Sequence, residues 1–184
     1  MDKIHKIIRL KDGRTCLIRP AVPADGAEYL RYLHMISGES DYLSFGVGEL
    51  TDTPEDVRDS IAAMSTVRNH LSLMALVDGQ IVANLTFRGG HRPRTAHVGE
   101  FGVSVLKEYW GHRIGPILME QMIEWAKASG LIRKINLRVR PDNVRGIAIY
   151  ERFGFQREGV LTRDMVIDGV FYDAVLMGLF IDPC

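Results

Sequence analysis

The chain has 184 residues, 46% hydrophobic and 25% charged, and 23 lysines and arginines balance 23 acids. That length and mixture fit one globular domain with a sizeable buried core. A formal net charge of zero gives no global pull toward nucleic acid or an anionic membrane, so any preference for a charged ligand must be local.

Two further absences narrow the setting. The start, Met1 to Lys6, lacks the apolar core of a secretory leader, and no apolar run approaches the roughly 18–20 residues that span a bilayer. The expected location is the cytoplasm. Cys16 and Cys184, one near each end, suggest neither a disulfide framework nor a metal-ligand pair.

In chain order, residues 7–10 and 15–19 flank Asp12-Gly13, a two-residue hairpin signal, and Pro20 stops the second strand. Residues 24–36 read as a helix with Leu30, Leu33 and Ile36 on one side. Residues 37–50, rich in glycine, serine and acids, look like loop or broken helix. Thr53-Pro54-Glu55-Asp56 is a helix start, with a capping hydroxyl, proline in the first turn and two acids facing the helix dipole; that helix is expected to run to about Ser65. Residues 71–77 and 80–87 flank a second turn, Asp78-Gly79, and His70 and His91 are expected in loops.

The next stretch, 97–125, organises the chain. A β-prone run from Phe101 to Leu106 meets a short loop, and a helix opens at Ile114, Gly115 and Pro116. Ile114, Leu118, Met122 and Trp125 recur at helical spacing and mark a buried face. Strand, loop and helix N-terminus together point free backbone N–H groups at an anion. Gly130 serves as the stop. Ile135, Leu137 and Val139 alternate with polar residues as a strand, Asn143 caps a helix carrying Ile147, Tyr150 and Phe153, and a last hairpin turns at Asp168-Gly169. The order predicts a mixed α/β fold on one sheet.

Val105-Leu-Lys-Glu-Tyr109 followed by Trp110-Gly-His-Arg-Ile-Gly115 resembles the coenzyme-A-binding core of the GNAT N-acetyltransferase superfamily. A second segment, Asn143-Val-Arg-Gly146 with Ile149-Tyr150 and Gly154-Phe155, is similar to that family's downstream pattern. Both lie in order and at the family's separation. Three positions depart from it: Trp110 stands for a basic or amide residue, Arg113 for the middle glycine and Gly146 for an alanine. Arg113 requires either an ordinary φ or accepted strain, and its guanidinium suits a phosphate.

The resemblance implies a mostly antiparallel sheet flanked by helices, over a core of about residues 16–179 with an added N-terminal strand. It implies acetyl-CoA as donor and no metal. Loop N–H groups from Gly111, His112, Arg113, Ile114 and Gly115 would cradle the pyrophosphate, His112 as a loop cation. Backbone groups of Val103, Ser104 and Val105 would meet the pantetheine amides, and Asn143 would contact the coenzyme. Tyr150 would protonate the leaving thiolate; a phenol of pKa about 10 is a competent donor at neutral pH. Tyr150 packing in the core beside Phe153 is the alternative.

Glu100 is read either as the base that frees the attacking amine or as a strand acid paired with an arginine. His97 would lie on the other strand face. Glu39, Asp41, Glu49, Asp52, Glu55, Asp56 and Asp59 stand against Arg58 alone, an acidic wall suited to a cationic acceptor such as a polyamine. Asp168–Asp173 and Phe155-x-x-Glu158-Gly159 resemble the branch that acts on ribosomal proteins, which keeps a protein or peptide amine equally open. Neither cysteine lies in a motif, so direct attack in a ternary complex is expected. A non-catalytic acyl-CoA-binding or sensing module on the same fold is the rival. A dinucleotide enzyme is excluded, since no Gly-x-Gly-x-x-Gly follows a strand. Many members of the family pair, which leaves a homodimer open.

Overall fold

A computed structural model describes residues 4–182. The elements run β1 (Lys6–Arg9), β2 (Thr15–Pro20), α1 (Gly26–Ser37), α2 (Pro54–Ser65), β3 (His70–Val77), β4 (Gln80–Gly89), β5 (Val98–Val105), α3 (Ile114–Ala128), β6 (Lys134–Val139), α4 (Val144–Arg152), β7 (Gln156–Ile167) and β8 (Val170–Phe180). All the strands join one sheet in the order β1-β2-β3-β4-β5-β6-β8-β7. Every neighbouring pair is antiparallel except β5 and β6. The α/β class and the mostly antiparallel sheet agree with the sequence reading.

The turns follow their residues. Asp78 (φ 50°) with Gly79 (φ 80°) and Asp168 (φ 48°) with Gly169 (φ 79°) make two-residue turns with both central residues left-handed. The first hairpin differs from expectation. Gly13 N–H donates to the Leu10 carbonyl and Leu10 N–H to the Arg14 carbonyl, so three residues turn the chain and only Gly13 has a positive φ. His70 opens β3 rather than lying in a loop.

Helix starts are chemically specified. Thr53 Oγ1 accepts the Asp56 N–H at 3.2 Å while the Asp56 carboxylate accepts the Thr53 N–H at 2.8 Å, a reciprocal cap. Before α1 a 3₁₀ turn, Pro23–Asp25, is held by Asp25. Its two oxygens take the Arg19 guanidinium fork at 2.7 Å each and one also accepts the Val22 N–H at 2.8 Å. Cys16 lies fully buried in β2, where burial pushes its thiol up to about 11; Cys184 lies outside the described residues.

The helices divide between the sheet's faces. Tyr29 and Tyr32 of α1 bond to Asn84 of β4 and Ser104 of β5, whereas Trp125 of α3 packs edge-on against Phe87 of β4, on the opposite side of the strand. Ile114, Leu118, Met122 and Trp125 are all buried, as their spacing predicts. Tyr150 of α4 meets Phe101 and Phe155 at centroid distances of 6.0 and 6.1 Å, on the α3 side of the sheet.

Candidate active site

The site grows from an interruption in the sheet. β5 and β6 pair only through Val98, Glu100 and the Gly99 between them, opposite Lys134 to Asn136, whereas the β4–β5 ladder continues to Val105. Beyond Glu100 the two parallel strands part. Leu106 N–H donates to the Val82 carbonyl of β4, so alternation turns the peptide groups of Val103 and Val105 away from β4 and into the gap. Ser104, grouped with them by sequence, turns its backbone to β4. Its hydroxyl joins a buried chain instead, donating to Asn84 Oδ1 and sharing a 2.8 Å bond with the Tyr32 hydroxyl. Unpaired backbone groups at such an edge favour a ligand able to bond them.

The loop after β5 leads to α3. Gly111 (φ 83°) and Arg113 (φ 65°) are both left-handed, and Arg113 is the residue before the first helical turn. The strained alternative is thus the one adopted at Arg113. Its cost is about 1–2 kcal/mol. Among the described residues no group accepts from the N–H of Gly111, His112, Arg113, Ile114 or Gly115. Five donors are therefore left free at the start of a 15-residue helix whose dipole favours negative charge. The Arg113 guanidinium reaches outward to Glu120 at 3.7 Å.

His112 Nδ1 accepts the Lys11 N–H at 3.2 Å, Nε2 stands 4.0 Å from Asp12, and the ring is largely buried against the β1–β2 turn. It anchors the loop. Gly115 approaches Val105, where an added Cβ would lie 3.6 Å from Val105 Cγ2, so alanine would fit. Asn143 caps α4 by accepting the Gly146 N–H at 2.9 Å, and a Cβ at Gly146 would stand 2.8 Å from that same oxygen. Glycine replaces the family's alanine where the cap presses closest.

Tyr150 lies half-buried in an aromatic trio with Phe101 and Phe155, and burial pushes its phenol up to about 12. No described residue bonds to its hydroxyl, which leaves it available. Phe101 is the first residue past the end of the β5–β6 ladder, so Tyr150 stands at the gap's opening on the α3–α4 face. Glu100 stands at the same level on the opposite face. It bonds to Arg138 of β6 at 2.9 Å, and Arg138 continues to Asp164 of β7 at 3.1 Å. Glu100 is thus the arginine-paired strand acid of one sequence reading, and it also borders the gap. His97 precedes β5. Above Gly102, between Glu100 and Ser104, an added Cβ would meet nothing within 4 Å.

The acidic wall is largely committed elsewhere. Glu39 accepts the Lys107 N–H at 2.7 Å, Glu49 accepts the Gly46 N–H at 2.8 Å, Asp56 is spent in its cap and Asp59 pairs with Arg58. Glu39 and Asp41 do border a cavity of about 270 Å³ shared with Tyr42, Trp110 and Arg140. Arg140 lies 3.9 Å from the Tyr172 ring centroid and 5.1 Å from that of Tyr42, and it donates to the Asp41 carbonyl. Sequence reasoning passed over Arg138 and Arg140. The alternation of β6 marked Arg138 as outward-facing, but Glu100 and Asp164 are far away in sequence. Arg140 follows the strand with its side chain largely buried, paired with nearby Asp142 and with the distant Asp41, Tyr42 and Tyr172.

Residues 35–155 match the model of the acetyltransferase (GNAT) family, and the chain belongs to that family. A GNAT-family acetyltransferase from Streptococcus pneumoniae is similar at 32% identity, with a TM-score of 0.86 over 91% of this chain and 99% of that one. The L-amino acid N-acetyltransferase AaaT of Escherichia coli (strain K12) is 33% identical over 105 residues, 57% of this chain and 65% of that protein. The chain thus spans less than two thirds of that curated relative. Salmonella typhimurium yncA, solved with its cofactor acetyl-CoA, shares the fold at 18% identity and a TM-score of 0.78, over 91% of this chain and 94% of its own.

Proposed function

We propose that the chain, as one domain working in the cytoplasm, binds acetyl-CoA and passes the acetyl group to a primary amine by direct attack in a ternary complex. The observation that carries this reading is the gap beyond Glu100, bordered by Tyr150 on one face and Glu100 on the other. Val103 and Val105 line it with inward-turned peptide groups, and the α3 N-terminus presents free N–H groups to a phosphate. Val103 and Val105 receive the pantetheine amides and residues 111–115 the pyrophosphate. Neither contact needs a metal.

The amine enters on the Glu100 face, over the open space at Gly102. Glu100, held by Arg138, takes the ammonium proton directly or through water, and the neutral amine attacks the thioester carbon. The tetrahedral intermediate collapses with cleavage of the carbon–sulfur bond, Tyr150 gives its proton to sulfur, and the surplus proton shed by the acylated nitrogen passes through water to restore the phenol. Its raised pKa keeps that proton in place at neutral pH. Positioning supplies most of the rate. Cys16, buried in β2, offers no covalent route.

The acceptor is a small-molecule or peptide amine. The relative named for L-amino acids supports a small α-amine, and four of the seven wall acids, Glu39, Glu49, Asp56 and Asp59, are already held by backbone N–H groups or by Arg58, which weakens the polyamine alternative. The test is acetyl-CoA-dependent thiol release across amino acids, peptides and polyamines, with thermal stabilisation by acetyl-CoA measured beside it. Stabilisation with turnover of one amine class is expected. Stabilisation with silence across all classes would establish the sensor instead.

A further inference from the structure

The mouth of the gap is barred. Trp110, on the loop that follows β5, donates its indole N–H to the Val105 carbonyl at 2.7 Å. That carbonyl is one of the groups turned into the gap, because the next peptide N–H, of Leu106, points to β4. The Arg145 guanidinium, from the first turn of α4, lies 5.2 Å from the Trp110 ring centroid. The contact therefore runs from the β5 lip to the α4 lip, across the opening an extended amide arm must enter. Trp110 is 47% exposed, so core packing does not hold it there. Arg145 has no carboxylate partner among the described residues.

We propose that Trp110 and Arg145 form a displaceable bar over the coenzyme channel. The indole caps the Val105 carbonyl until a pantetheine amide N–H replaces it, and Arg145 is then released to meet the coenzyme's phosphates. The inference rests on the proposed coenzyme site and adds two binding residues to it. One donor exchanges for another at a single carbonyl, and a guanidinium exchanges an aromatic face for phosphate oxygens, with which it pairs well. The Val105 carbonyl keeps a donor throughout, while the indole gives up its bond and turns to solvent.

The experiment is calorimetric titration with acetyl-CoA and with pantetheine, which lacks the nucleotide phosphates, on the wild type, Trp110→Phe and Arg145→Met. Phenylalanine keeps a ring for Arg145 but removes the donor. Binding of both ligands should tighten by about threefold to tenfold in Trp110→Phe, the equivalent of one ordinary hydrogen bond no longer broken on entry. Arg145→Met should weaken acetyl-CoA by about tenfold and leave pantetheine no weaker. Weaker or unchanged binding in Trp110→Phe would make the indole a fixed wall and overturn the proposal. Equal losses of both ligands in Arg145→Met would remove the phosphate role. A wild type that binds acetyl-CoA, with variants that fail these expectations, refutes the bar alone. A wild type that binds no acetyl-CoA refutes the coenzyme site as well.

Discussion

Glu100 Oε1 stands 2.9 Å from Nε of Arg138, and the same guanidinium reaches Asp164 Oδ1 at 3.1 Å. One cation thus spans β5, β6 and β7 and fixes the direction of the carboxylate nearest the gap. Both Glu100 and Arg138 are close to half exposed, so the pair contributes little to stability. Its value is orientation. Glu100→Gln should lower kcat/KM for the best amine by about a hundredfold, in the range of a lost general base, while acetyl-CoA affinity stays within about twofold. Steady-state thiol release checks the first and calorimetry the second; an undiminished rate would remove Glu100 from the chemistry.

Tyr150→Phe should preserve the aromatic trio and acetyl-CoA binding but lower kcat by about ten- to a hundredfold, since only the proton donor is lost. Burial holds the phenol at about 12, so the wild-type kcat profile should show no falling limb from this group up to pH 10. A limb near pH 9 that vanishes in the phenylalanine variant would mean that Tyr150 ionises earlier than its surroundings dictate.

Arg113→Gly tests the strained loop. Glycine adopts φ 65° without the side-chain penalty, though it also loosens the unfolded chain. The net expectation is a gain of about 0.5–1 kcal/mol in urea unfolding. Acetyl-CoA affinity should hold within about threefold if backbone N–H groups rather than the guanidinium carry the phosphate. A tenfold loss of affinity would assign that contact to the side chain.

The Arg19–Asp25 fork predicts an acid-sensitive margin. Burial resists ionisation of Asp25, but the Arg19 fork and the Val22 N–H outweigh it and hold the carboxyl below its ordinary range. A depressed folded pKa means the stabilisation is complete above the unfolded value, near 3.8. It is lost as pH falls through the folded value. Asp25→Asn should therefore be less stable than wild type at pH 7, by about 2–3 kcal/mol for a largely buried partnered charge. The difference should shrink below about pH 4. A constant difference from pH 7 to pH 3 would contradict the linkage.

The elements readable in the sequence were those set by local chemistry. Thr53 to Asp56 wrote its own cap, and the Asp-Gly pairs at 78–79 and 168–169 specified their turns. The α3 face followed from spacing alone. Asp12-Gly13 misled because the same dipeptide serves a three-residue turn when the preceding residue keeps a negative φ. Tyr150, Asn143 and the loop 111–115 were legible because motif spacing ties them together. The Glu100–Arg138 bond, 38 positions apart, and the indole on Val105 were not, since both depend on where two parallel strands stop pairing. For His112 the residue type was visible, but its bond to Lys11, 101 positions away, was not.

The short β5–β6 ladder makes the sheet two leaves, β1 to β5 and β6 to β8, stitched along three residue pairs at one end. An amide arm lodged beyond the stitch would serve as a ninth, non-peptide strand and continue the seam. The cosubstrate would then be a structural part of the fold for as long as it stays. Amide protons at Val103 and Val105 would exchange freely in the empty protein and slowly in the loaded one. The leaf that carries Tyr150 would be drawn toward the leaf that carries Glu100 only while there is a thioester between them to act on.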